Sequence, residues 1–578
     1  YADEGMWCTN SIDANLEKSM RKRGLRIKPA DIAYDAIVSL DFVGTGSIVS
    51  NQGLMITNHH CAYADIHALS TSEHNYLEDG FYAQDFKDEI NIKGKKAWIL
   101  KETINVTDEV KELQSELITK GQPHGMRKLA HVMEKRYSKN GADAILYSMW
   151  CGSQYYIALY TVYKDIRLVA APPVCIGAFG GDIDNWEWPQ HKGDFALYRI
   201  YTAPDGSPAE YSSDNIPLHT DNYLKISKKG YKKGDYAMVV GYPGKTDRYS
   251  SSAKARIDQE VKLPISNRLR GKQMEIINKW MNEDPDIRLK YSNYYFGLSN
   301  VQELNCGQVE CVDRFKVLEA KKKEEEKLAD KELLEELDTT YNSLRDIQAN
   351  TSYYRETMVR GTRLIRIVNR LYNSGDDAIK YLKEYDGIDM RVEKELFDYA
   401  VKEYYSHVNN KYWGPFQTEL ANRFGTDNIG CKTICDTIWN NSIIPNREKV
   451  ADFISEGHTL EEYRDDALIK FFKDTGIQTF NKVINDIQKN HKTIDLDRAF
   501  THELYSYRKR IGLNQYPDAN SSLRLTFGTI NDLYARDAVC LSYKSTVEGI
   551  LEKYNPSNYD YSLDPELVNL YEGIRDMN

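Results

Sequence analysis

The chain has 578 residues and a formal net charge of −10, the wrong sign for the basic footprint with which a nucleic-acid binder displaces counterions from phosphates. No apolar run reaches the roughly 20 residues of a membrane span, and a chain this long can bury a core without a cysteine framework. The 42 tyrosines against 16 phenylalanines predict many half-buried rings with a wet hydroxyl end, suited to polar-rimmed grooves.

The opening YADEGMW contains no signal peptide and reads as a processed or engineered start. Residues 35–62 predict short strands, DAIVSLDF, GSIVS and GLMITNHHC, separated by Gly, Asn and Ser turn signals. A helix is expected over 107–137, and strands over 154–171, 193–203 and 234–243, the last closed by Pro-Gly. From about 254 to 510 the pattern changes to helical periodicity. RGTRLIRIVNRLYNS at 360–374 puts Leu364, Ile367, Val368 and Leu371 on one face. KKKEEEKLADKELLEEL at 321–337 reads as a solvated helix face on which Lys321 pairs with Glu324 and Glu325. Strand character returns at 521–530. The nine cysteines lack zinc-site spacing, so no metal is expected, and their spacing leaves disulfides open.

Two stretches carry chemistry. In GTGSIVSNQGLMITNHHC (44–61) an apolar strand ends in adjacent histidines. This resembles the serine-protease pattern in which a catalytic histidine follows a strand and precedes a cysteine, which points to His60 rather than His59 as a general base. A buried structural histidine pair is the competing reading. In FGGDIDNWEWPQHKGDFALYRI (179–200) Asp194 opens a strand and can supply the carboxylate that orients a histidine. Asp182 and Asp184 lie in a Gly/Asn turn, where carboxylates usually cap the backbone.

Together with DEGMW at 3–7, GDYAMVVGYPGKTDRY at 234–249 and YPDANSSLRLTFG at 516–528, these stretches resemble the dipeptidyl-peptidase 7/11 family of bacterial serine exopeptidases. The resemblance implies an α+β fold: a chymotrypsin-like double β-barrel carrying a large inserted α-helical domain. Its divisions fall at 1–250 (first barrel and opening strand of the second), 251–512 (helical insert) and 513–578 (return into the second barrel). It implies release of dipeptides from oligopeptides with a free N-terminus, whose α-ammonium (pKa about 7.7–8.0) is clamped by Asn185, Trp186 and Asn300. For Trp186 the alternative is a core aromatic beside Trp188, and for Asn300 a helix cap. A homodimer, a periplasmic or cell-surface location and the absence of any cofactor are further implications.

The sequence also departs from the family pattern. The Gly-Asn-Ser-Gly-Ser-Pro segment that carries the family's nucleophile does not occur in these residues, and Ser47, Ser153 and Ser207 lack its glycine-flanked turn. Residues 1–578 alone are therefore expected not to cleave at the rate of an intact enzyme, either as a truncated chain or as a non-catalytic homologue that binds peptide N-termini. Gly44 stands where the family often has a cysteine, and Glu187 and Gln190 replace its usual Met and Arg. A metal hydrolase built on His59, His60, Asp65 and His67 is a weaker alternative, because adjacent histidines rarely share one metal and no HExxH helix is present. GYPGKT at 241–246 lacks the first glycine of a P-loop.

Overall fold

The computed structural model describes residues 4–577 apart from 140, 182, 374, 408–430, 461, 464 and 475–492. The architecture is mixed α/β, with antiparallel sheets and a large helical share. The chain divides into two compact units, one of residues 1–249 with 501–578 and the other of residues 250–500, against junctions expected at 250/251 and 512/513.

The first unit is organised by a large antiparallel sheet. Its order runs Phe81–Tyr82, Asp165–Ala171, Ala196–Thr202, Leu54–Thr57, Gly44–Ile48, Ile37–Leu40, Ala97–Asn105, Gln154–Tyr163, Asp143–Met149. The longest strand, Gln154–Tyr163, is covered on both faces: Tyr155 and Ile157 enter one core, and Ala158, Tyr160 and Val162 another. The single helix expected over 107–137 is two, Thr107–Thr119 and Met126–Tyr137. Gly121 adopts φ +62° just past the first helix, and Pro123 follows, so the helix stops where a left-handed glycine and a proline end it. Val110, Leu113, Leu117, Leu129 and Met133 then pack with Leu146 and Ile157 of the sheet.

A second sheet joins Trp7–Cys8, Arg524–Thr529 and Tyr236–Gly241. Buried Arg524 donates to the carbonyls of Met6 (3.0 Å), Pro517 (2.8 Å) and Asp518 (2.9 Å), so one guanidinium satisfies three loop acceptors that the sheet leaves over.

In the second unit every regular element among the described residues is helical. The 30-residue helix Pro285–Arg314 starts with proline in its first turn and with the Asp284 side chain accepting from the Asp286 amide, both favourable at a helix start. Arg363–Asn373 buries Leu364, Ile367, Val368 and Leu371 in an aliphatic and aromatic core. Two side chains of the run 321–337 also reach inward: the Glu325 carboxylate accepts from Ser252 N (2.6 Å) and Oγ (2.5 Å), and Lys321 Nζ donates to the Ser250 carbonyl (2.8 Å). Both side chains fasten the first helix of the unit, Ser252–Ile257.

The wet-hydroxyl expectation fails for a set of tyrosines. Tyr160, Tyr198, Tyr201, Tyr291, Tyr354 and Tyr404 are fully buried. Three of them replace water with a carboxylate: Tyr198 donates to Asp65 (2.7 Å), Tyr201 to Glu89 (2.9 Å) and Tyr291 to Glu393 (2.6 Å).

Candidate active site

The register of two strands assembles the site. Leu54–Thr57 runs antiparallel to Ala196–Thr202 with Thr57 opposite Ala196, so the residues after Thr57 lie beside those before Ala196, at one end of the sheet. The chain turns at Asn58 into the helix His59–Leu69, which buries His59, Ala62, Tyr63 and Ile66 and leaves His60 on the other side. Asp65 of this helix accepts from Lys95 Nζ (2.8 Å) and Tyr198 OH (2.7 Å), tying the helix to the strand that follows Asp194.

Asp194 holds His60 twice. Its Oδ1 accepts the His60 backbone N–H (3.0 Å) and its Oδ2 lies 2.7 Å from His60 Nδ1. Asn58 Nδ2 donates to the Asp194 carbonyl (3.2 Å) and to Oδ2 (3.3 Å). Since Asn58 makes no side-chain cap of its own, the Asp194 carboxylate satisfies one of the free N–H groups of the helix start and sits at its positive end. The Asp194 side chain is 17% exposed and that of His60 47%. The hydrogen bond that His60 makes to Asp194, then the one with Cys61, pushes its pKa up from the ordinary value. Burial alone would raise Asp194, but the hydrogen bond and charge of His60 outweigh it and hold the carboxyl below its ordinary value. With Nδ1 committed, Nε2 is the ring nitrogen left for proton transfer to a substrate.

His59 has the opposite environment. It is fully buried, its ring lies against Gly177 so closely that a Cβ there would meet His59 Cγ at 2.6 Å, and among the described residues neither nitrogen has a hydrogen-bond partner. The Pro172 carbonyl attracts the ring without normal bond geometry. Burial pushes the His59 pKa down to about 4 against the pull of Asp194, so the ring beside His60 stays neutral near pH 7.

Asn185 and Trp186 stand on the loop before Asp194. Trp186 is 54% exposed and Trp188 41%, which removes the core-aromatic reading of Trp186. Asn185 is half-buried, and its Oδ1 accepts from Lys192 Nζ at 3.4 Å. Asp184 is not a backbone cap: it is buried and accepts from Lys553 Nζ (2.6 Å) and Tyr561 OH (3.1 Å). Asn300 lies in the other unit, half-buried in the middle of Pro285–Arg314, so the helix-cap alternative fails. The structure thus brings His60 and Asp194 together, with Asn185 and Trp186 on the loop leading to Asp194. Sequence reasoning passed over Asn58, Lys553 and Tyr561 and read Asp184 as a turn cap; of the three, only Asn58, inside Thr-Asn-His-His-Cys, carried a signal.

Of the serines considered, Ser47 lies within the strand Gly44–Ile48, and Ser207 Oγ donates to Asp205 Oδ1 (2.6 Å) in an exposed turn. The metal alternative disperses, because Asp65 is committed to Lys95 and Tyr198, while His59 and His60 lie on different sides of their helix. Among the described residues no group of three or more His, Cys, Asp or Glu side chains is placed to hold a metal ion. Cys8, Cys61, Cys151, Cys175, Cys306, Cys311, Cys435 and Cys540 are not joined in disulfides.

The class of molecule is that of a peptidase. The fold matches DPP11 of Porphyromonas endodontalis in complex with the dipeptide Arg-Asp, with a TM-score of 0.90 at 28% identity, over 99% of this chain and 86% of that one. The dipeptidyl-peptidase 7 of Capnocytophaga gingivalis is 31% identical over 99% of this chain and 84% of its own length. The Asp/Glu-specific dipeptidyl-peptidase of Porphyromonas gingivalis is 29% identical over the same shares. The sequence profile of Peptidase S46 matches residues 2–576, and the chain belongs to that family.

Proposed function

We propose that this protein is a serine-type dipeptidyl-peptidase that releases dipeptides from the free N-terminus of oligopeptides. The observation that carries the reading is the 2.7 Å contact between Asp194 Oδ2 and His60 Nδ1, which sets one tautomer and leaves Nε2 to take a proton from a serine hydroxyl and return it to the leaving amine. Asp194 keeps its charge and stabilises the imidazolium that forms. Asn185 and Trp186 hold the substrate α-ammonium, so that only chains beginning at that point are read. The structures of the relative DPP11 with Arg-Glu and Arg-Asp support a dipeptide-sized product. The same reading takes the antiparallel sheets as parts of a chymotrypsin-like double barrel. It places the protein in the periplasm or at the cell surface, as a homodimer without cofactor.

The test uses the protein expressed from its full reading frame. Incubated with oligopeptides, it should release N-terminal dipeptides, detected by mass spectrometry, and N-acetylation of the same peptides should abolish release. A fluorophosphonate probe should label one serine, dependent on native structure. Release of single amino acids, equal cleavage of acetylated peptides, or turnover without a labelled serine would overturn the proposal.

A further inference from the structure

Gly180 and the loop residues 183–190 are fastened by a segment more than 350 residues further along the chain. Lys553 Nζ donates to Asp184 Oδ2 (2.6 Å) and to the Pro189 carbonyl (3.3 Å), so one ammonium ties both ends of the stretch 185–188, which contains Asn185 and Trp186. Tyr561 OH adds a second bond to Asp184 (3.1 Å), and the Gly180 amide donates to the Asp560 carbonyl (2.7 Å). Ser545 Oγ donates to the Gln190 carbonyl (3.1 Å) and Trp188 Nε1 to the Ser542 carbonyl (2.9 Å). Gln190 closes the loop on itself, its Nε2 reaching the carbonyls of Asp184 (3.2 Å) and Asn185 (2.8 Å). Asp184 is 6% exposed whereas Trp186, two residues on, is 54% exposed: the loop is anchored from its buried side and presents the other.

We infer that residues 542–561 are a brace for the substrate-binding loop, with Lys553 as a positioning residue that acts through Asp184 on Asn185 and Trp186. The inference rests on the dipeptidyl-peptidase reading of those two residues. Its physical content is pre-organisation. An exposed four-residue turn has many conformations, and fixing it before substrate arrives removes an ordering cost that would otherwise weaken binding. Lys553 is suited to the task because its partners differ in kind: a buried carboxylate, which takes the charge, and a backbone carbonyl, which fixes the far end of the turn. The His60/Asp194 pair is held by a separate strand ladder. Loss of the brace therefore falls on substrate binding and spares the proton-transfer machinery.

The experiment compares Lys553→Met and Lys553→Arg in the protein expressed from its full reading frame, assayed on a dipeptidyl substrate with a free N-terminus. Lys553→Met should raise KM roughly tenfold while kcat stays within about twofold, the pattern of lost binding that is shared by ground and transition states. Lys553→Arg, which keeps the charge and both donors, should recover most of the loss. Hydrogen exchange at residues 183–190 should be roughly tenfold faster in Lys553→Met than in the parent. Tyr561→Phe, which deletes one bond to Asp184, should shift KM and exchange in the same direction by less, and it carries the test where Lys553→Met fails to fold. Unchanged KM in folded variants, a fall in kcat with KM unmoved, or failure of Arg to rescue would overturn the brace. If the parent releases no dipeptides, the function reading falls on that control, and the exchange comparison still decides the brace: faster exchange upholds it and unchanged exchange refutes it.

Discussion

The His60/Asp194 pair and the Asn185/Trp186 loop lie within ten residues of each other in sequence at Asp194, yet they are supported in different ways. The pair is held by backbone register, since Thr57 opposite Ala196 fixes where Asp194 and His60 meet and Asp65, Lys95 and Tyr198 lock the helix behind them. The loop has no ladder and depends on bonds to side chains and carbonyls of residues 542–561 and on its own Gln190. Support by ladder is carried by backbone that no side-chain change removes, whereas support of the loop runs largely through side chains, among which Lys553 alone reaches both Asp184 and Pro189, so single substitutions should separate the two regions.

The largest effect is expected at the pair itself. In the protein expressed from its full reading frame, Asp194→Asn should lower kcat roughly 10³- to 10⁴-fold with little change in KM, as expected when the group that orients a base is lost; a loss under tenfold would break the assignment. The floor of the pair follows. His59 binds its proton less readily folded (about 4) than at its ordinary value of 6.5, so between those values the unfolded chain holds more protons. Its contribution is complete above about pH 6.5 and is lost as pH falls toward 4, by up to about 3 kcal/mol. Denaturation midpoints across that window, compared with His59→Leu, should show the parent losing more stability on acidification. Gly177→Ala drives a methyl into the same ring and should cost about 1–3 kcal/mol in urea unfolding.

Two smaller effects sharpen the contrast. His60 is raised by Asp194, so the stability it lends is full below its ordinary pKa and fades as pH rises through the raised value, reduced by the solvent that reaches this half-exposed ring. Asp194→Asn should bring the His60 titration, followed by NMR of the imidazole, down by more than about one unit. Lys553→Met should leave that titration within about 0.3 unit, because the ladder does not pass through the brace.

The pair was legible in the sequence because its members flank short apolar strands, His60 just after Leu54–Thr57 and Asp194 just before Ala196–Thr202, where the period-two pattern and the flanking Gly and Asn turns mark the boundaries. The helical periodicity of 360–374 was equally readable, since four apolar residues at i, i+3, i+4 and i+7 need one buried face. What could not be read depended on distant partners. Asp184 looks like any turn carboxylate until Lys553 and Tyr561 are brought to it. Trp186 beside Trp188 reads equally well as core or surface, because burial is decided by what covers the loop. Asn300 read as a helix cap because asparagine is a favoured capping residue, but Pro285–Arg314 runs through it without a break. The break at Gly121 was visible in KGQPHG, and the longer periodicity masked it.

The buried tyrosine–carboxylate pairs carry an evolutionary consequence. Tyr198 with Asp65, Tyr201 with Glu89 and Tyr291 with Glu393 each hide an acceptor that only its partner, or a neighbouring donor, satisfies. Replacing the tyrosine by phenylalanine takes one donor from a carboxylate that keeps Lys95, Arg199 or the Leu364 amide, whereas replacing the carboxylate by leucine takes the acceptor from that donor and from a buried hydroxyl together, so the single steps pass through destabilised intermediates. Such positions drift as couples or not at all. In a family whose members here share less than a third of their residues, these couples should change together across lineages, leaving paired substitutions as the trace of an interior wired by hydroxyls.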